Sequence, residues 1–138
     1  PYFNPHVNRP FAMGGYSPEE HPLTGVARML NGIASLKAEV PEMKIISSGL
    51  SYLGVAAPNV SAAYIENGGF DFAGFGRTIF AYPDYANDII KNGCMKKEKQ
   101  CICCSKCTEI MRGGSTPGCV IRDSLYTDLY KKFKAGEL

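Results

Sequence analysis

Between Leu23 and Val40 the apolar residues Val26, Met29, Leu30, Ile33, Leu36 and Val40 recur three and four apart. That spacing places them on one stripe of a helix. Pro41 ends the helix, because proline has no amide hydrogen to continue the ladder. Two short apolar runs, Lys44–Ser48 and Phe70–Ala73, each close on small residues and predict buried strands. Val60–Asn67 between them predicts a second helix, closed by Gly68-Gly69 where a left-handed cap is needed. A short helix is expected from Thr78, a break at Pro83-Asp84, and another helix over Tyr85–Lys91. Leu125, Leu129 and Phe133, four apart, predict a last amphipathic helix over Ser124–Phe133. Helix, strand, helix, strand, helix is the alternation of a parallel α/β structure. Strands this short and apolar are expected to be covered on both faces.

The opening breaks the pattern. Pro1, Pro5, Pro10, Pro18 and Pro22, with Gly14-Gly15, leave no room for a helix or central strand over residues 1–22. A long ordered loop is expected there, with His6, Asn8 and Arg9 available to a ligand or to hydrogen bonds within the loop. Tyr2, Phe3, Tyr16 and Tyr52 either shape a pocket or simply pack.

Composition narrows the class without choosing a function. The 138 residues are 45% hydrophobic and 20% charged, which suits one ordinary globular domain. A net charge of +2 argues for neither nucleic acid nor a membrane surface. Lys91, Lys96, Lys97 and Lys99 concentrate positive charge just before a cysteine-rich stretch, as a solvated face or a place for an acidic partner. No apolar run reaches transmembrane length, and no secretory leader is legible, so a cytoplasmic location is expected. The first residues, Pro1-YFNPHVNRP, read as mid-protein sequence.

The cysteines add chemistry. Cys101, Cys104, Cys107 and Cys119 read C-x2-C-x2-C-x11-C. Three close thiolates with a fourth a dozen residues on suit a cubane iron–sulfur cluster, in which each iron takes one soft ligand. Tetrahedral zinc accepts the same four sulfurs. Reduced, unligated thiols are a third reading, and disulfides are disfavoured by the missing leader. Cys103, between two of the four, could stand in for either neighbour, and Cys94 reads as an unligated thiol.

The strand ends add a second candidate site. Ser47-Ser48-Gly49 follows the first strand and Gly74-Phe75-Gly76-Arg77 the second. Glycines there let the backbone approach a ligand, and a guanidinium suits phosphate. The same residues also serve ordinary tight turns between strand and helix.

Three pieces in this order, PYFNPHVNRP, GGFDFAGFGRTIFAYPDYANDIIKNG at 68–93 and the cysteine segment 101–119, resemble the old yellow enzyme family of flavin oxidoreductases. The closest branch is the iron–sulfur one, which includes 2,4-dienoyl-CoA reductase and trimethylamine dehydrogenase. The resemblance implies the C-terminal part of a (β/α)8 barrel: the last two strands and their helices over 1–93, then an iron–sulfur segment and terminal helix over 94–138. It implies FMN, with Ser48, Gly49 and Leu50 meeting its phosphate after strand seven, and Gly76 and Arg77, with Phe75 beside them, after strand eight. It implies a [4Fe–4S] cluster on Cys101, Cys104, Cys107 and Cys119, with Cys103 a bystander.

A full barrel takes about 250 residues. The strands that would carry the flavin-ring contacts and the substrate-binding histidine or asparagine pair and tyrosine are therefore not assigned, and no catalytic residue is named. His6 and His21 are not promoted to that role. Fused dinucleotide-binding domains are not expected after Cys119. NAD(P)H or a separate electron-transfer protein is the expected electron partner, with a small-molecule substrate. Two parallel strands leave an open edge, so pairing of copies is expected.

Three functions follow. One is an FMN- and iron–sulfur-dependent ene-reductase or NAD(P)H:flavin oxidoreductase, of which this chain alone would be inactive. Another is a small metal- or cluster-binding module for electron relay or protein contact. The last is a folded fragment with no working site.

Overall fold

The structure is a computed structural model that describes residues 20–137. The proline-rich opening, with His6, Asn8 and Arg9 and the aromatic Tyr2, Phe3 and Tyr16, lies outside the described residues. Pro22 stands in the first turn of helix α1 (Pro22–Glu39), where its missing amide leaves no helical bond unmade. His21 caps the helix, its Nδ1 accepting the Leu23 N–H at 3.2 Å. The expected stripe is buried along its first half only. Val26, Met29 and Leu30 are buried, whereas Leu36 is 53% exposed. At the other end Lys37 Nζ donates to the carbonyls of Pro41 and Met43, each at 2.7 Å.

Strands β1 (Ile46–Ser47) and β2 (Phe72–Ala73) pair in parallel, Ile46 opposite Phe72 and Ser47 opposite Ala73. They are shorter than their apolar runs and, contrary to expectation, covered on one face. Ser47 is wholly buried, while Ile46 and Phe72 are 66% and 55% exposed. Successive side chains of a strand face opposite sides, and the core gathers on the side of Ser47 and Ala73. Asp71 fastens the start of the pair. Its carboxylate accepts the Ile45 N–H at 2.9 Å and lies 2.9 Å from Lys37 Nζ and 3.0 Å from Lys44 Nζ. The Ile45 amide and then the two lysines hold its carboxyl well below the usual carboxylate range.

After β1 the chain makes a 310 segment, Leu50–Ala56, that runs directly into α2 (Ala57–Glu66). The sequence expectation began this helix only at Val60. Pro58 sits in the first turn of α2, where proline is accepted, so the helix starts before it. The core is Val26, Met29 and Leu30 from α1, Leu50, Ala57, and Phe70. Tyr64 stacks on Phe70 with ring centroids 5.6 Å apart.

Helices α3 (Thr78–Ala81) and α4 (Tyr85–Asn92) follow β2. Tyr82 between them is buried. Its hydroxyl donates to the Asp88 carboxylate and accepts the Lys96 N–H at 3.2 Å, drawing the lysine-rich stretch onto α4. The cysteine segment contains helix α5 (Lys106–Arg112). Helix α6 (Ser124–Ala135) is capped by Asp123, whose Oδ1 accepts the Leu125 N–H at 3.0 Å. No residue of α6 is fully buried. It is held by polar ties, with Thr127 Oγ1 donating to the Val120 carbonyl at 2.7 Å and Glu109 receiving both the Tyr130 hydroxyl and Lys134, and by the Tyr126 and Phe133 rings packed on Gly118 and Gly113. The described chain is mixed α/β, mostly helical, and none of its helices is long and apolar enough to cross a membrane.

Candidate functional site

The two strand-end turns are neighbours because their strands are. Gly74 makes the approach possible. Its N–H donates to the Ser47 carbonyl at 2.6 Å, and a Cβ there would stand 2.9 Å from that same oxygen. Beyond it, Ser51 and Thr78 share a hydrogen bond of 2.8 Å between their buried hydroxyls, which joins the segments following the two strands. Ser48 and Gly76 are exposed, and Gly49 takes a left-handed backbone with φ 78°. Leu50 is fully buried, so its side chain belongs to the core and only its backbone faces the turn. Phe75 packs against Tyr85, ring centroids 5.1 Å apart.

Arg77 is anchored on the cysteine segment. Its Nη1 donates to Ser105 Oγ at 3.3 Å and to Thr108 Oγ1 at 3.2 Å. The turn after β2 is thereby tied to the cysteine segment 28 residues later. Sequence reasoning placed Arg77 correctly at the end of β2 and missed this partner, because nothing local marks a contact across that distance.

Cys101, Cys104, Cys107 and Cys119 line one small cavity, together with Cys103, Arg77, Gln100 and the apolar Phe80, Ile102 and Ile121. The backbone achieves this by unusual means. Cys103 and Ser105, neither of them glycine, take left-handed conformations with φ 55° and 62°. Such residues are held only where surrounding contacts fix them, and they collect at functional sites. The kinks turn the chain so that Cys101, Cys104 and, in the first turn of α5, Cys107 share one cavity. Cys119 reaches it from just before the turn that leads to α6.

Cys103 does more than stand by. Its N–H lies 3.4 Å from Cys101 Sγ. Hydrogen bonding from the Cys103 thiol and amide, with the charges of Arg77 and Arg122, brings the Cys101 thiol down to about 6 against the effect of burial. The same contact, with burial, pushes Cys103 up. Burial also raises Cys107, opposed by Thr108 and Arg77. All six cysteines are unpaired thiols, and Cys94 is exposed, away from the cavity lining.

Gln100 completes the wall. It is buried, its carbonyl accepts Arg122 Nη2 at 3.2 Å, and its Nε2 has no hydrogen-bond partner among the described residues. Gly54, with φ 56°, makes room for it: a Cβ there would lie 2.7 Å from Gln100 Oε1. A buried donor without an acceptor costs about 1–3 kcal/mol. Gln100 had no signal in the sequence beyond standing next to Cys101.

Among the described residues no three His, Cys, Asp or Glu side chains converge closely enough for a single ion. Tetrahedral zinc requires its sulfurs about 3.8 Å apart, from a Zn–S bond of about 2.3 Å. Four thiolates around a cubane stand much farther apart, with the cluster filling the space between them. Compared with known family models, curated proteins and solved structures, the chain has no match.

Proposed function

We propose that the chain is the C-terminal part of an FMN- and [4Fe–4S]-dependent flavin oxidoreductase with the (β/α)8 design, and that Cys101, Cys104, Cys107 and Cys119 hold the cluster. The observation that carries this reading is the single cavity lined by all four thiols and by Arg77 from the turn after β2. What supports a cluster is the C-x2-C-x2-C-x11-C spacing of these thiols, and tetrahedral zinc accepts the same four sulfurs. When bound, FMN supplies hydride chemistry and the cluster single-electron transfer. The chain's own work is positional. Ser48, Gly49 and Gly76 present backbone for a phosphate, with the Leu50 backbone and Phe75 beside them. Arg77, held by Ser105 and Thr108, sets the strand-end turn against the cysteine segment and favours thiolate there. Phe80, Ile102 and Ile121 keep the cavity mouth apolar. The chemistry on substrate belongs to residues outside this chain.

The test is iron, sulfide and zinc content with a visible spectrum, on protein made without oxygen, followed by titration with FMN. About four irons and four sulfides per chain are expected, with FMN bound by the strand-end turns. Substituting Cys104→Ser and Cys107→Ser together should abolish iron uptake. Zinc, or a spectrum without visible bands, sinks the cluster reading.

One observation favours a second reading. Arg77 is engaged by Ser105 and Thr108, away from the strand-end turns. A cluster-binding relay module without flavin therefore stands beside the first. Iron with no FMN binding selects it.

A further inference from the structure

Five thiols line the cysteine cavity, and the proposed ligand set leaves Cys103 idle. Cys103 is nonetheless in contact with Cys101. Its N–H lies 3.4 Å from Cys101 Sγ, and its thiol donates to the same sulfur. Its own Sγ lies 4.0 Å from the Cys101 carbonyl oxygen. The left-handed backbone of Cys103, φ 55°, is a conformation that surrounding contacts must hold. Residues two apart have Cα atoms no more than about 7 Å from each other, and a disulfide joins Cα atoms about 4.4–6.8 Å apart. The two sulfurs are thus within reach of a bond after a small movement. Cys107 Sγ is turned toward Thr108 Oγ1, 3.9 Å away. Cys101 is half-buried in the cavity wall, while Cys103 is buried. Arg77 and Arg122 line the same cavity, and among the described residues no carboxylate does. Positive charge beside a sulfur favours its attack on an electrophile.

We propose that Cys101 and Cys103 form a peroxide-responsive pair, in which Cys101 takes the oxidant and Cys103 closes a reversible disulfide on it. The Cys101 sulfur attacks one oxygen of a hydroperoxide. The O–O bond breaks, the other oxygen leaves and takes up a proton, and Cys101 becomes a sulfenic acid. The Cys103 sulfur then attacks the sulfenic sulfur. An S–S bond forms, the S–O bond breaks, and water leaves. With hydrogen peroxide the two thiols lose two electrons and two protons, and the peroxide becomes two waters. A low-molecular-weight thiol reverses the bond by exchange. Disulfides of this transient kind belong to redox-sensing proteins of reducing compartments. The more exposed sulfur meets the oxidant, and the buried one resolves it. The pair needs no metal, so it stands apart from the cluster reading and gives Cys103 a task which that reading does not.

The experiment uses the full chain, reduced and freed of metal by a chelator, with equimolar hydrogen peroxide as probe. Intact mass should fall by about 2 Da, and dithiothreitol should restore it. Fragmentation of the peptide Gln100–Lys106 should place the bond between Cys101 and Cys103, in wild type and in Cys104→Ser alike. Iodoacetamide should label both sulfurs before peroxide and neither after it, a check that needs no variant. Cys103→Ser should accumulate a sulfenic acid on Cys101, trapped by dimedone about tenfold above wild type, because the resolving sulfur is gone. A bond mapped from Cys101 to Cys104 or Cys107 in wild type overturns the proposal. So does a disulfide that links two chains through the exposed Cys94, or one that Cys103→Ser closes as fast as wild type. Oxidation that stops at sulfinic acid with no disulfide overturns it too. A chain that takes up no iron and still closes this bond keeps the pair and sinks only the cluster reading.

Discussion

The stretch from Glu20 to Gly93 and the stretch from Cys94 to Glu137 are held together by different physics. The first has a core: Phe70, Leu50, Val26 and Leu30 are almost wholly removed from water, and helices α1 and α2 close over them. The second has buried residues without a core. Cys103, Ser105, Gln100, Ile110 and Val120 are buried, but α6 contributes no buried side chain. Its shape depends on particular bonds: Arg77 to Ser105 and Thr108, Arg122 to Gln100, and Tyr130 and Lys134 to Glu109. Apolar burial is non-directional and tolerant, whereas such ties act at single points. A stretch built in the second way is stabilised most by whatever fills its cavity.

That contrast can be broken outright. Phe70→Ala should cost about 3–5 kcal/mol, read by urea denaturation with separate probes in each stretch. If both stretches lose structure in one transition of the same midpoint, they are one cooperative unit and the contrast fails. Persistence of amide protection around α5 and α6 would sharpen it.

The next effect tests the other side. Ile110, wholly buried in α5, should cost about 2–5 kcal/mol on substitution by alanine. In iron-free protein the loss of amide protection is expected to be confined to residues 94–137. If the four thiols hold the proposed cluster, iron loading should restore that protection, because ligated thiolates would brace the stretch. Equal protection with and without iron would show that the polar ties suffice.

Gln100→Leu gives a smaller effect of opposite sign in the two states. Without iron it removes a buried donor that lacks an acceptor and should raise stability by about 1 kcal/mol. If the proposed cluster lies within reach of this amide, loss of the N–H donor should lower its reduction potential. A potential that does not move would remove Gln100 from the site.

Acid gives the smallest and most graded comparison, on iron-free protein. Asp71 and Glu109 both lie below the usual carboxylate range of about 4. For Asp71 the Ile45 amide and the Lys37 and Lys44 bonds set the shift. For Glu109 burial acts upward and is outweighed by Lys134 and Tyr130. A carboxyl depressed on folding adds stability above its unfolded pKa and loses it as pH falls through the folded value. Asp71 is held lower, so the tie at β1 should outlast the tie at α6 as pH drops. Carboxyl chemical shifts followed from about pH 5 downward check the order, and reversal would place the stronger electrostatic tie in the cysteine stretch.

The first stretch was largely legible in the sequence because its signals are local and repeated. The stripe of Val26, Met29, Leu30 and Ile33, the stop at Pro41, the turn at Gly68 and the strand ends at Ser48 and Gly74 all act within a few residues. What was misjudged there is coverage: apolar Ile46 and Phe72 gave no hint that their face is open. In the cysteine stretch the thiol spacing was legible, and α5 was hidden because seven residues rich in cysteine and charge show no stripe.

By itself, then, the sequence determined the order of the segments: two strands ending in small residues, then a stretch with C-x2-C-x2-C-x11-C spacing. Tertiary structure alone decided which of them meet. Only the folded chain ties Arg77 to Ser105 and Thr108, bends Cys103 and Ser105 into left-handed backbone, and buries the Gln100 amide without a partner among the described residues. These are contacts between residues far apart in the chain or strained conformations fixed by their surroundings, and neither is written in the spacing of neighbours.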